Sequence, residues 1–237
     1  MSFKLKILAA TIGAASLLAS TANATQYTIF DGIADGSAEF DSIVTATGET
    51  VTVDTWTSIG SGTTIDRGDY TIDRNNGGSI SPTTYGTMSG QVIDISPSGG
   101  GSNPRTDPLD YIGSGVTLTF GTAVNAVGFE VGDWATCCFD PVTELFISFD
   151  GGAPIKVASA DESSDGVFPR QTGTGTAYEI FVGAFDDSGD FNSVTFWGNG
   201  IGEYLVFGGE VRYALLGKGT LPPTTPAVPL PAAGFLM

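Results

Sequence analysis

The chain has 237 residues, with 26 acidic side chains, 9 basic side chains, no histidine and a formal net charge of −17. Such a charge argues against nucleic acid or an anionic membrane surface as a partner, because binding to either depends on Lys and Arg side chains that neutralise phosphates. The lack of histidine excludes Ser-His and Cys-His nucleophile pairs and every His-ligated metal site.

The first 24 residues have the form of a secretory signal peptide. Two lysines precede an apolar stretch that ends near Leu18, and the sequence Ala-Asn-Ala at 22–24 has the small-x-small form that signal peptidase accepts. The alternative, a membrane anchor, needs about 20 apolar residues. We therefore expect export and a mature chain that begins near Thr25, with a net charge near −19 once the two lysines of the leader are removed.

After residue 24, short runs of β-branched and aromatic residues recur between Gly, Pro, Asn and Asp. In "GVTLTFGT", for example, Val116, Leu118 and Phe120 fall on one face of a strand. No sustained helical period follows the leader, so the pattern predicts an all-β fold, a single antiparallel β-sandwich over residues 25–216. The predicted strands are 26–30, 40–46, 50–57, 63–66, 69–73, 91–95, 115–121, 123–131, 143–149, 154–158, 177–185, 192–197 and 203–213.

The two cysteines, Cys137 and Cys138, are adjacent in the sequence. A vicinal disulfide is slightly favoured, because export would place the pair in an oxidising compartment. A pair of buried thiols and an interchain bridge are the alternatives that the sequence leaves open.

Clustered aspartates make calcium the one cofactor that the sequence suggests. We expect a structural calcium ion at Asp31 and Asp35, where it would hold the first strand, with Asp186, Asp187 and Asp190 as the second choice. Neither set matches the calcium loop of an EF-hand. The alternative is that these are solvated acidic loops without a metal.

Catalysis has weaker support than binding. Glu130 and Asp133 are the best candidates for a carboxylate pair, but a separation of three residues places them on opposite faces of a strand. Trp134 follows them at a strand end, where an exposed ring would be a candidate for stacking on a sugar, although burial in the core is the favoured alternative for a tryptophan. We therefore predict no enzymatic activity, and a secreted carboxylate-dependent glycan hydrolase is the alternative.

The C-terminal sequence "VPLPAAGFLM" contains the motif Val228, Pro229, Leu230, Pro231 and Ala232. This motif resembles the start of a PEP-CTERM sorting signal of the VPLPA type, which is preceded by a Thr/Pro-rich linker like the one at 217–227. The resemblance implies an exosortase-type processing enzyme as a partner and display at the cell surface or in the exopolysaccharide matrix of a Gram-negative-type bacterium.

The sorting signal of this family continues into a hydrophobic helix and a terminal Arg-rich cluster. Here the signal spans only residues 228–237, so we expect that the chain is truncated and that any membrane contact would use the missing helix. The segments "GVTLTFGTAVNAVGFEVGDW" and "FNSVTFWGNGIGEYLVFGGEVRYA" are similar to paired strands of the jelly-roll sandwiches found in such proteins. The resemblance favours a non-catalytic surface or biofilm component that interacts with extracellular polysaccharide.

Overall fold

The computed structural model of the chain describes residues 25–96, 107–139, 142–199 and 203–222. The predicted signal peptide and the sorting motif from Val228 to Ala232 lie outside the described residues. Within the described ranges, no helix has both the length and the apolar character that a membrane crossing requires.

Fifteen strands, one α-helix and two 3₁₀ helices form within these ranges. The strands are β1 Gln26–Gly32, β2 Thr52–Thr55, β3 Thr64–Asp66, β4 Tyr70–Arg74, β5 Thr83–Thr84, β6 Gln91–Ile95, β7 Val116–Val124, β8 Ala126–Gly132, β9 Thr143–Phe149, β10 Ile155–Ala160, β11 Phe168–Pro169, β12 Thr176–Ala177, β13 Glu179–Asp186, β14 Phe191–Gly198 and β15 Leu205–Ala214. The helix α1 spans Ile33–Ala46, and the 3₁₀ helices span Pro108–Ser114 and Ser163–Gly166.

The strands form two antiparallel sheets that pack as a sandwich, which confirms the predicted all-β fold class. The first sheet has the order β1-β13-β8-β15-β6-β5, and β2 pairs with the part of β15 that lies beyond β6. The second sheet has the order β10-β9-β14-β7-β4-β3. Strands β11 and β12 pair only with each other and form a small separate hairpin.

The core between the sheets is built from alternate residues of each strand, as the period of two predicts. Phe129 of β8 contacts Phe196 of β14 in the opposite sheet, with ring centroids 4.8 Å apart. Phe207 of β15 lies 4.7 Å from Phe129 and 5.4 Å from Phe196. All three rings are fully buried, so they join the two sheets at the centre of the molecule.

Residues 33–46 form a helix, so the predicted strand at 40–46 and the predicted lack of any helix are wrong. The buried residues of α1 are Ile33, Gly36, Phe40 and Val44, at spacings of three and four that place them on one helical face. The β-branched run near the end of this segment suggested a strand. Burial of the helical face against the first sheet outweighs that local preference.

The helix covers the outer face of the first sheet, on the side away from the second sheet. Phe40 packs against Phe181 and Phe185 of β13, with ring centroids 6.1 and 4.8 Å apart. Gly36 permits this close approach, because a Cβ atom there would lie 2.8 Å from Cβ of Phe181. As a result, every residue of β8, and every residue of β13 except the last, is buried.

The packed domain extends beyond its predicted end at residue 216. Leu216 and Leu221 are both buried in the cluster that contains Phe40 and Val44 of the helix. The first part of the segment predicted as a linker, 217–227, is therefore folded onto the sandwich.

Truncation of Phe40 tests whether the helix belongs to the cooperative fold. We expect Phe40→Ala to lower the free energy of unfolding by about 3–5 kcal/mol, because it removes a buried ring and leaves a cavity. Ser42→Ala, at an exposed position of the same helix, should change it by less than about 0.5 kcal/mol. Urea titration followed by circular dichroism measures both values, and equal effects of the two variants would contradict the packing described above.

Candidate functional site

One end of the first sheet gathers four carboxyl groups. Glu179 begins β13 and pairs with Gly132 at the end of β8, and Glu130 lies two residues before Gly132. Asp133 follows β8 directly, and Glu203 shortly precedes β15, whose Val206 also pairs with Gly132. We refer to Glu130, Asp133, Glu179 and Glu203 as the acidic end of the sheet.

The loop 85–90 crosses the outer face and bonds two of these carboxylates in the same way. The backbone N–H of Thr87 donates to Oε1 of Glu179 at 2.9 Å, and its hydroxyl donates to Oε2. The backbone N–H of Ser89 donates to Oε2 of Glu130 at 2.8 Å, and its hydroxyl donates to Oε1. Both glutamates are essentially fully buried, so the loop supplies hydrogen bonds that water would otherwise make.

Two glycines leave the space that these carboxylates occupy. A Cβ atom at Gly86 would lie 1.7 Å from Oε1 of Glu179, and one at Gly209 would lie 2.2 Å from Oε2 of Glu130. Both glycines also have positive φ angles, of 46° and 64°, which other residues rarely adopt. The space for each buried carboxylate therefore depends on a glycine, because any other residue would place a Cβ atom in that space and would rarely adopt the backbone conformation.

Burial raises the pKa of two carboxyl groups at the acidic end. The pKa of Glu130 is raised from 4.5 to about 7 by burial, although the hydrogen bonds from Ser89 oppose the shift. Burial also raises the pKa of Glu203 to about 7, against the hydrogen bonds from the backbone of residues 135–137. Both groups therefore titrate close to neutral pH.

The loop 133–138 holds the vicinal cysteines against Glu203. Cys137 and Cys138 are joined by a disulfide, the first of the alternatives that the sequence left open. Sγ of Cys137 lies 3.6 Å from Oε2 of Glu203. Asp133, Ala135 and Cys138 all have positive φ angles, so the backbone of this loop is unusual for residues other than glycine.

The two sulfurs and the Glu203 carboxylate form the one group of three metal-ligating side chains in the described residues, within 4.8 Å of one another. Thiolate is the sulfur species that binds metals. Because the disulfide ties up both sulfurs, the group as it stands is not a metal site.

Trp134 is 1% exposed, as the favoured expectation of burial predicts, so the candidate role of its ring in stacking on a sugar is wrong. Its ring packs edge-on against Phe30 of β1 with centroids 5.4 Å apart. The positive φ angles of the neighbouring Asp133 and Ala135 belong to the turn that carries the indole into the core.

Asp31 and Asp35, the first-choice calcium ligands, lie on different elements. Asp31 is in β1, and its Oδ1 accepts the N–H of Gly32 at 2.7 Å. Asp35 is exposed in the first turn of α1, where a negative charge is favourable to the helix dipole. Within the described part of the chain, they are not assembled with a third acidic side chain into a metal-ligating group.

The three aspartates of the second predicted set of calcium ligands each have a different partner. Asp186 accepts a hydrogen bond from the side chain of Gln26 at 2.8 Å, and Asp190 forms an ion pair with Lys218 at 3.5 Å. Asp187 is fully buried and bonds backbone groups of the chain. As far as the structure describes the chain, this set too is not gathered into a group of three ligands.

A cleft of about 530 Å³ opens beside the acidic end, between the loop 85–90 and the hairpin of β11 and β12. Half-buried Tyr85 and Tyr178 line it together with exposed Arg170 and the buried Glu179. Among the basic side chains in the described ranges, Arg170 is the one outside an ion pair. The cleft therefore offers aromatic surface and an unpaired guanidinium at its rim.

The hydroxyl of Tyr85 links the cleft to the acidic end. It donates to Oδ1 of Asp133 at 3.2 Å, and burial together with the negative charge of Asp133 raises its pKa to about 12. The charge of Arg170 acts in the opposite direction on the same hydroxyl. Tyr85 is therefore a neutral group that can pack against a ligand at physiological pH.

Sequence reasoning missed the cleft because its lining comes from segments that lie far apart in the chain. Tyr85 belongs to a loop, whereas Arg170 and Tyr178 each directly follow one of the two-residue strands of a hairpin. The sequence signal that both segments do carry is their polar, Gly-rich character, which indicates loops but does not indicate that the two loops meet.

Comparisons with family models, with curated proteins and with solved structures find no match for this chain.

The raised pKa of Glu130 predicts a pH dependence of stability. The folded state binds its proton up to about pH 7, whereas the unfolded state releases it near pH 4.5, so stability should fall as the pH rises through this range. Glu130→Gln should remove roughly 3 kcal/mol of that fall between pH 4.5 and pH 8, because the amide does not titrate.

Urea unfolding at a series of pH values measures this difference, and Glu49→Gln, at an exposed position, is the matched control. Glu203 titrates in both proteins and contributes the same slope to each. Parallel stability curves for the wild type and Glu130→Gln would contradict the role given to burial.

Proposed function

We propose that this protein is an exported, non-catalytic component of the cell surface or extracellular matrix that binds polysaccharide in the cleft beside Arg170. The observation that carries the proposal is the unpaired guanidinium of Arg170 at the rim of a cleft lined by Tyr85 and Tyr178. Tyrosine rings present flat apolar surface with a polar edge, and a guanidinium donates several hydrogen bonds in a fixed plane. Sugar rings, with apolar faces and peripheral hydroxyls, match both features.

The overall charge favours a neutral glycan. The sequence carries 26 acidic residues against 9 basic ones, so a polyanionic chain would be repelled on approach. Arg170 supplies a single local positive charge, which is enough to bind hydroxyl groups and too little to attract a polyanion. The expected ligand is therefore an uncharged exopolysaccharide.

Hydrolysis is disfavoured by the state of the buried acids. A glycosidase needs two carboxyl groups that reach the same glycosidic bond, one to donate a proton and one to attack or activate water. Glu130 and Glu179 are both buried, and each already accepts two hydrogen bonds from the loop 85–90. Their hydrogen-bonding capacity is directed to holding the loop in place.

Export is supported by the sequence at both ends of the chain. The leader has the form that signal peptidase recognises, and the VPLPA motif resembles the sorting signal that an exosortase-type enzyme processes. A vicinal disulfide is also consistent with an oxidising compartment.

A glycan array tests the ligand class, with the purified protein probed against neutral and acidic polysaccharides. We expect binding to neutral chains, and we expect Arg170→Ala to weaken it roughly 10-fold or more, because a hydrogen bond from a charged group is worth about 1.5–3 kcal/mol. Lys156→Ala, at an exposed position on β10 of the second sheet, is the matched control and should bind as the wild type does.

Release of reducing sugar from a bound glycan would contradict the non-catalytic assignment. Equal affinities of wild type and Arg170→Ala would show that the cleft is not the binding site. A preference for acidic chains would overturn the ligand class and leave the site open to further mapping with Tyr178→Ala.

A further inference from the structure

Asp187 joins the two ends of the folded domain. It follows β13 and is fully buried. Its Oδ1 accepts a hydrogen bond from the backbone nitrogen of Thr25 at 2.6 Å, and its Oδ2 accepts one from the backbone nitrogen of Leu221 at 2.8 Å. Its backbone contributes as well, since its N–H donates to the carbonyl of Thr25 and its carbonyl accepts the N–H of Gly219, each at 3.3 Å.

This carboxylate has no cationic side chain paired with it in the described part of the chain. Lys218 is close in sequence to Leu221, but its ammonium group pairs with Asp190 at 3.5 Å. Burial of an ionised carboxylate is costly unless an opposite charge or several donors compensate it. Two backbone N–H groups give Asp187 its hydrogen bonds, but neither carries a positive charge to balance that of the carboxylate.

The leader identified in the sequence ends at the residue before Thr25. Hydrolysis of the peptide bond after Ala24 consumes one water molecule, leaves a carboxylate on Ala24 and converts the nitrogen of Thr25 into an α-ammonium group. This is the nitrogen that lies 2.6 Å from Asp187. The nitrogen that becomes charged when the leader is removed is therefore the same atom that donates to the buried carboxylate of Asp187.

We propose that the carboxylate of Asp187 forms an ion pair with the α-ammonium group of Thr25 in the processed protein. Removal of the leader then supplies the missing positive charge and stabilises the fold. This inference rests on the export proposed above. In the precursor, this nitrogen is part of the peptide bond to Ala24, so it donates a single neutral N–H to Asp187. After processing, the ion pair fixes the edge strand β1 to the end of β13 and, through Leu221, holds the segment that leads to the sorting motif.

The test compares two proteins that differ by one residue at the N-terminus. One begins at Thr25 and runs to residue 237, and the other carries one additional glycine before Thr25, which moves the ammonium group away and leaves a neutral N–H in its place. Both are released from a cleavable fusion, and each is made with native Asp187, with Asp187→Asn and with Asp190→Asn. Thermal unfolding gives the melting temperature of all six.

We expect the protein that begins at Thr25 to melt roughly 5–10 °C above the extended one, because the extension takes the charged partner away from a fully buried carboxylate, in a contact that is itself part-buried. The difference should disappear with Asp187→Asn and persist with Asp190→Asn. Equal melting temperatures for the two native-Asp187 proteins, or a difference that survives Asp187→Asn, would overturn the proposal. If Asp187→Asn does not fold, the native-Asp187 pair still decides.

N-terminal sequencing of the protein exported from a Gram-negative host separates this proposal from the export on which it rests. Thr25 as the first residue supports both. Another first residue in an exported protein overturns the role of Asp187 and leaves export standing, whereas an uncleaved product in the cytoplasm contradicts the export itself.

Discussion

The rest of the structure depends on the burial of strands β8 and β13 on both faces. One face meets the second sheet through Phe129 and its neighbours, and the other lies under the helix α1 and the loop 85–90. A strand buried on both sides loses the simple alternation of apolar and polar residues. Its outward positions here are small residues, aromatic rings, or polar groups whose hydrogen bonds are supplied by the protein.

The buried carboxylates meet that requirement with backbone N–H groups in place of basic side chains. Glu179 and Glu130 hold the loop 85–90, Glu203 holds the loop of the vicinal disulfide, and Asp187 holds the two ends of the domain. A chain with 9 basic residues against 26 acidic ones cannot pair each acid with a cation. Backbone donors are the abundant alternative, and each carboxylate that uses them fixes a segment that would otherwise be a free loop.

Because these acids bond to the protein's own backbone, they belong to the structural framework and not to the surface that is available to a ligand. The carboxyl groups at the acidic end are largely committed to internal hydrogen bonds, whereas Arg170 stands outside any ion pair at the rim of the neighbouring cleft. Tyr85 lies between the two regions, since its hydroxyl donates to Asp133 and its ring lines the cleft. A change that loosens the loop 85–90 would therefore alter the shape of the cleft as well as the stability of the domain.

The sequence by itself determined the class of the fold and most of its strands. Val116, Leu118 and Phe120 alternate with polar residues, and this period of two is a local property that survives without knowledge of the partner strands. The adjacency of Cys137 and Cys138 likewise needed no fold to suggest a vicinal bridge. The helix at Ile33–Ala46 was not predicted, because the helical spacing of its apolar residues outweighs the local preference for a strand only when the sheet buries those residues.

Tertiary structure alone decided which polar groups act together. Asp187 and Thr25 are separated by 162 positions, and Thr87 and Glu179 by 92, so no local pattern could have paired them. The same holds for Trp134, whose burial depends on Phe30 of a strand more than a hundred residues away in the chain. Strand formation follows from short-range steric and hydrophobic preferences, whereas the burial and pairing of a charge depend on long-range contacts that exist only after the sheets have packed.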